Sequence, residues 1–218
     1  MRLDILKADT MKSLASYWSA LRGTIHPDDE ATFADNSEHG FDLSFPPPAF
    51  IGDVQNAPII ILDNNGGFDP TMTPGEFRTM GAADGFRGDL AGSAVVDPRA
   101  PWVSPYYCQR NFTKWLVSGE AALVNGVAYR SVSGREKSVA RLTKVLPSAI
   151  FHRRWLIETV LSSVDRGERF LIVHRWSRWG NVAGTLKGRA GTIHSNAPIS
   201  KDLTAEEVSA GTAFLHGR

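Results

Sequence analysis

The stretch Ala57-Pro58-Ile59-Ile60-Ile61-Leu62-Asp63-Asn64-Asn65-Gly66-Gly67 decides the fold class. Its first half is short, continuously apolar and rich in β-branched residues, the pattern of a strand covered on both faces by helices. It stops at a cluster of Asp, Asn and Gly, which are turn formers. Three further segments have the same character. Ala121-Ala122-Leu123-Val124 runs into Asn125-Gly126, Phe170-Leu171-Ile172-Val173 into His174-Arg175-Trp176, and a weaker Gly191-Thr192-Ile193 into His194. Strands are therefore expected near residues 58–62, 121–125, 169–173 and 190–193.

Helical signals separate them. Thr73-Pro74-Gly75-Glu76 offers a capping box with proline at the first helical position, and 111–116 reads as a helix. Ser148, after Pro147, can cap a long helix through Ile150, Trp155, Leu156, Val160 and Leu161, and Thr204-Ala205-Glu206-Glu207 opens a C-terminal helix with another capping box. Upstream, Thr10 caps an amphipathic helix over 11–22 through Leu14, Ala15, Trp18 and Leu21; residues 23–50 read as a loop ending in Pro46-Pro47-Pro48. Strands alternating with helices imply right-handed βαβ crossovers. The expected fold is α/β, a three-layer α/β/α arrangement around a central, mainly parallel sheet of about four strands. A ligand site would lie outside the carboxyl ends of those strands.

Composition narrows the class. The 218 residues are 42% apolar, enough for one sizeable core, and no low-complexity linker divides them, so 1–218 is expected to be a single domain with 1–56 as an N-terminal helix and loop extension. The single cysteine, Cys108, excludes an intramolecular disulfide and any cluster needing several thiolates. Acidic residues in the first ten positions and the shortness of the apolar run 58–62 argue against a signal peptide or a membrane span, so a cytoplasmic monomer without cofactor or metal is expected. Net charge is +1, but residues 1–50 hold four Lys/Arg against eight Asp/Glu, and residues 151–218 hold ten against six. The basic C-terminal third could face phosphate, although surface composition fluctuates by this much in many domains.

Each expected strand ends in a polar group: Asn64, Asn125, His174 or Arg175, and His194. Convergence of these ends would make one polar pocket, in which an asparagine amide can pair with the edge of a nucleobase and a histidine can donate to a developing oxyanion. Each residue alone is equally well explained as turn chemistry.

Their order resembles the motifs of the uracil-DNA glycosylase superfamily. Ile59-Ile60-Ile61-Leu62-Asp63-Asn64-Asn65-Gly66 resembles the first motif, a strand leading to Asn-Pro-Gly or Asp-Pro-Tyr. Leu123-Val124-Asn125-Gly126-Val127 resembles the strand ending in the base-reading asparagine. Leu171 to Trp176 falls at the third strand, and Ile193-His194-Ser195-Asn196-Ala197-Pro198-Ile199-Ser200 resembles the final loop, His-Pro-Ser-Pro-Leu-Ser. The similarity runs over about 57–215 as ordered anchors. It implies flipping of uracil out of DNA and hydrolysis of its N-glycosidic bond. On that resemblance Asn64 positions the water and His194 stabilises negative charge on the base; Asn125 reads the uracil edge, with Phe68 or Phe77 stacking on it. Asp63 lies one residue off the carboxylate position, and strand alternation would send it to the other side unless the turn re-aims it; it is counted with Asn125, Phe68 and Phe77 among the expected substrate-binding residues. Arg175, Arg178, Ser195 and Ile199 would contact DNA. Asn65 and Ser195 replace the family's prolines, and the last loop is one residue longer, so an ungapped reading back from Pro198 puts Ser195 in the histidine position. Because an amide is no general base, the alternative is a catalytically weak or inactive protein of the same fold that binds nucleotide or nucleic acid. No nucleophile elbow and no phosphate-cradling glycine motif points to another α/β enzyme.

Overall fold

The computed structural model of the chain describes residues 12–133 and 136–218. Its centre is the strand β3, Ile59–Gly67, for which β1 (Phe41–Asp42) and β2 (Phe50–Ile51) prepare the ground upstream. β3 pairs in parallel with β4 (Ala121–Ser131) on one side and with β5 (Phe170–Val173) on the other; β6 (Thr192–His194) continues in parallel beyond β5. β1 and β2 lie antiparallel along the outer edge of β4, so the order is β1-β4-β3-β5-β6 with β2 also on β4.

The sheet is thus mixed and has six strands, where about four were expected. The two additional strands come from the segment read as a loop. Each is two residues long, too short to print a period of two on the sequence. β3 and β4 also outrun their expected ends at Leu62 and Asn125. Asp63 pairs with Asn125 and Asn65 with Val127 before the register shifts between Asn65 and Gly67. Tertiary pairing holds these turn-forming residues in a strand.

Alternation along the strands divides the core. Ile60, Leu62, Ala122, Val124, Leu171 and Val173 join one apolar cluster with Trp18, Leu142 and Leu156, while Ile59, Ile61, Ala121, Leu123 and Ile172 join another with Phe112, Trp115 and Leu116. Helices therefore cover both faces, as the continuous apolar runs require.

Several helix ends differ from expectation. The first helix is Leu14–Trp18, capped by Ser13; Thr10 and Met11 fall outside the described residues. Pro147 opens the helix Pro147–Trp155, but Leu146 is its N-cap, and the Ser148 N–H donates to Asp29 Oδ1 at 2.9 Å. A π-turn, Leu156–Val160, continues that helix into Leu161–Asp165. At Thr73–Glu76 there is a single turn without a side-chain cap: its N-cap is Met72, Thr73 Oγ1 accepts the Asp69 N–H at 3.0 Å, and Glu76 pairs with Arg130. The capping box of Thr204 and Glu207 on Ala205–His216 is present as read. Among the described residues no helix is long and apolar enough to cross a membrane.

Candidate functional site

Just past the carboxyl end of β5, midway along β3 and β4, Asp63 and Asn125 are direct neighbours across the parallel pair. Both side chains line a cavity of about 510 Å³, which is walled further by Asn65, Phe68, Tyr106, Tyr107, Arg130 and Arg175. That volume suits a small organic ligand.

Asp63 is buried, and its Oδ1 accepts the Asn64 N–H at 2.7 Å and faces Arg175 Nη1 at 3.5 Å. Burial pushes its carboxyl above the usual range; the Arg175 guanidinium and the Asn64 N–H pull the other way. Arg175 is itself aimed by the Ser200 carbonyl, to which its Nε and Nη2 donate at 3.1 and 2.5 Å.

Asn125 is held on two sides. Its Nδ2 donates to the Pro48 carbonyl at 2.5 Å, and its main-chain N–H donates to the Ala49 carbonyl at 3.0 Å. A carbonyl only accepts, so the amide orientation is chemically determined. Oδ1 and the second Nδ2 hydrogen remain for a ligand.

Also lining the cavity, Arg130 Nη2 pairs with Glu76 Oε2 at 2.9 Å, both side chains buried, and Nη1 donates to the Gly67 carbonyl at 3.2 Å. Arg130 Nε has no partner among the described residues. Burial raises the phenol pKa of both Tyr106 and Tyr107, so both are neutral hydroxyls. Arg130, Glu76, Asn65 and the two tyrosines were absent from the sequence-level site. Asn65 was reachable by counting two from Asp63, and the tyrosines stood in a noticeable segment. The ion pair joins residues 54 apart in sequence and left no local signal.

No protein-family model, curated protein or solved structure matches this chain. The arrangement of side chains is therefore the ground for a functional reading.

Of the remaining expected residues, Phe68 lines the cavity and the others lie elsewhere. Asn64 turns away from the cavity, and its Oδ1 accepts the Arg178 N–H at 3.1 Å. Alternation was expected to send Asp63 to the other side unless the turn re-aimed it; with β3 continuing through this segment it is Asn64 that faces the other layer. Arg178, expected at the mouth to meet phosphate, is buried with its Nε unpartnered among the described residues, packed so close to Gly126 that a Cβ there would meet Arg178 Cβ at 3.0 Å. His194 ends β6 with its ring 6.1 Å from Trp176 and its buried Nε2 without a partner among the described residues. Burial lowers its pKa, so it is neutral, and it does not line the cavity. Asn64, Asn125 and His194 consequently do not share one cleft.

Ser195 is buried; its Oγ donates to Glu207 Oε2 at 3.2 Å and accepts the Ala197 N–H at the same distance, which pins the last loop. Phe68 lines the cavity, whereas Phe77 is packed between Phe45 and Phe86, at 5.2 and 5.8 Å between ring centres, beneath the Arg130 guanidinium. Ile199 is 87% exposed, two residues before Lys201 at the cavity wall. Among the described residues no group of three or more His, Cys, Asp or Glu could hold a metal ion.

Chemically, the cavity offers a buried carboxylate able to orient a water, an amide of determined orientation able to pair with a planar hydrogen-bonding edge, aromatic rings able to stack, and guanidinium groups able to stabilise a leaving anion.

Proposed function

We propose that the chain is a uracil-DNA glycosylase-type hydrolase, cleaving the N-glycosidic bond of uracil or a related base in DNA, with Asp63 rather than Asn64 orienting the water. The observation that carries this reading is the pairing of Asp63 with Asn125 on adjacent strands, both facing one cavity just past the carboxyl end of β5. A water hydrogen-bonded to Asp63 attacks the anomeric carbon as the bond to the base nitrogen breaks. The bonding pair leaves with the base, the water's proton passes to the carboxylate, and the base anion is then protonated. Asn125 Oδ1 accepts the ring N–H, and its free N–H donates to the neighbouring base carbonyl. Cytosine presents the reverse order of donor and acceptor, and matching it would require flipping the amide off the Pro48 carbonyl. With His194 away from the cavity, Arg175 and Lys201 face the departing negative charge. Exposed Ile199 beside Lys201 suits contact with DNA at the cavity mouth.

A second reading is a binder without chemistry, favoured by one observation: Arg175 already compensates the Asp63 charge at 3.5 Å. Incubating the protein with single-stranded and mismatched duplex oligonucleotides carrying uracil separates the two. Release of free uracil supports the hydrolase, binding without release supports the binder, and absence of both overturns the proposal.

A further inference from the structure

The buried ring of His152 lies between the N-terminal segment and Asn125, outside the chemistry described so far. Trp18 Nε1 donates to His152 Nε2 at 2.8 Å, and His152 Nδ1 meets the Asn125 carbonyl oxygen at 2.7 Å. The indole N–H can only donate, so Nε2 must carry a lone pair. The single ring hydrogen then sits on Nδ1 and donates to Asn125. A protonated ring would set two hydrogens against each other at Nε2, and full burial independently disfavours it, pulling the imidazole pKa down to about 4.

We infer that Trp18 and His152 are positioning residues for the recognition amide of Asn125, which makes the segment before β3 part of the ligand site. This rests on the reading that Asn125 contacts the base. The main-chain carbonyl, main-chain N–H and side-chain N–H of Asn125 are taken by His152, the Ala49 carbonyl and the Pro48 carbonyl respectively. Two of these partners belong to the N-terminal segment and the third is held by Trp18 from that same segment. Together they fix both the peptide plane and the amide plane of Asn125. Apolar packing alone would not need the chain of hydrogen bonds, since a buried imidazole and a buried indole each bring polar atoms that must be satisfied. Here both are satisfied by a chain that ends on the residue whose amide faces the cavity. Small displacements of a positioned group reduce recognition steeply.

The test uses the full chain and three variants. Trp18→Phe keeps an aromatic ring but removes the donor. His152→Leu removes both bonds, and His152→Gln keeps one donor and one acceptor. Three properties are measured: the imidazole ¹⁵N shifts of His152, the resonance of the Asn125 side-chain amide, and the dissociation constants for free uracil and free cytosine. The wild type should show the Nδ1–H tautomer and prefer uracil. Trp18→Phe and His152→Leu should each shift the Asn125 amide and weaken uracil about 10-fold or more, narrowing the preference over cytosine, whereas His152→Gln should retain most of the affinity. Folded Trp18→Phe and His152→Leu chains with an unmoved Asn125 amide and unchanged uracil affinity would overturn the inference. If the wild type binds no uracil, the functional reading falls while the Asn125 amide still decides the positioning role. If His152→Leu does not fold, Trp18→Phe against His152→Gln decides it in the same way.

Discussion

Just past the carboxyl end of β5, the two faces of the sheet carry similar polar side chains and put them to opposite use. On one face Asp63 and Asn125 open into a cavity, and the guanidinium groups there have carboxylate partners: Arg130 with Glu76, Arg175 with Asp63. On the other face Asn64 caps the Arg178 N–H, Arg178 is buried with its Nε unpartnered among the described residues, and Trp179 Nε1 donates to the Asp63 carbonyl at 2.7 Å. Adjacent residues of one strand, Asp63 and Asn64, thus belong to different environments. A shift of one residue in a strand exchanges its faces, so the assignment of a site residue by motif is only as good as the knowledge of where the strand stops.

The largest effect should come from breaking the satisfied pair in the cavity. Glu76→Ala leaves the Arg130 guanidinium buried without compensation, and chemical denaturation should show a loss of about 3–5 kcal/mol. A loss below about 1 kcal/mol would mean that the pair is hydrated in solution and that the faces differ less than described.

Next in size is acid sensitivity. His152 takes up a proton near pH 4 in the folded chain and near 6.5, the ordinary value, when unfolded. Between these values the unfolded state holds more protons, so stability is fully present above about pH 6.5 and is lost as pH falls toward 4, by on the order of 3 kcal/mol. Denaturation midpoints across that window should fall for the wild type and flatten in His152→Gln. Equal slopes would remove His152 from the account.

The smallest effect belongs to the closed face. Arg178→Met removes a buried cation that has no carboxylate partner among the described residues and should be neutral or stabilising by about 1 kcal/mol, with no change in salt-dependent binding to DNA. A marked loss of DNA affinity would return Arg178 to the mouth of the site.

Much of the architecture was legible because it rests on local chemistry. The continuous apolar runs at 59–62, 121–124 and 170–173 marked the centre of the sheet, and the Thr204–Glu207 capping box marked the last helix. β1 and β2 were not legible, since two residues carry no period. The candidate site was legible in kind but not in facing. Asn125 stands at the cavity as read, yet Asp63-Asn64-Asn65 looked like a turn, and ending the strand at Leu62 stopped the alternation that separates Asp63 from Asn64. Glu76 was read as a capping residue because its partner, Arg130, is distant in sequence.

The central claim, that Asp63 and not Asn64 serves the cavity, is tested most directly by the rate of uracil release from a single-stranded uracil-containing oligonucleotide by the wild type, Asp63→Asn and Asn64→Ala. The account predicts release by the wild type, a rate lower by about 100-fold or more for Asp63→Asn, and a rate close to wild type for folded Asn64→Ala. Loss of release in Asn64→Ala with Asp63→Asn still active would contradict it.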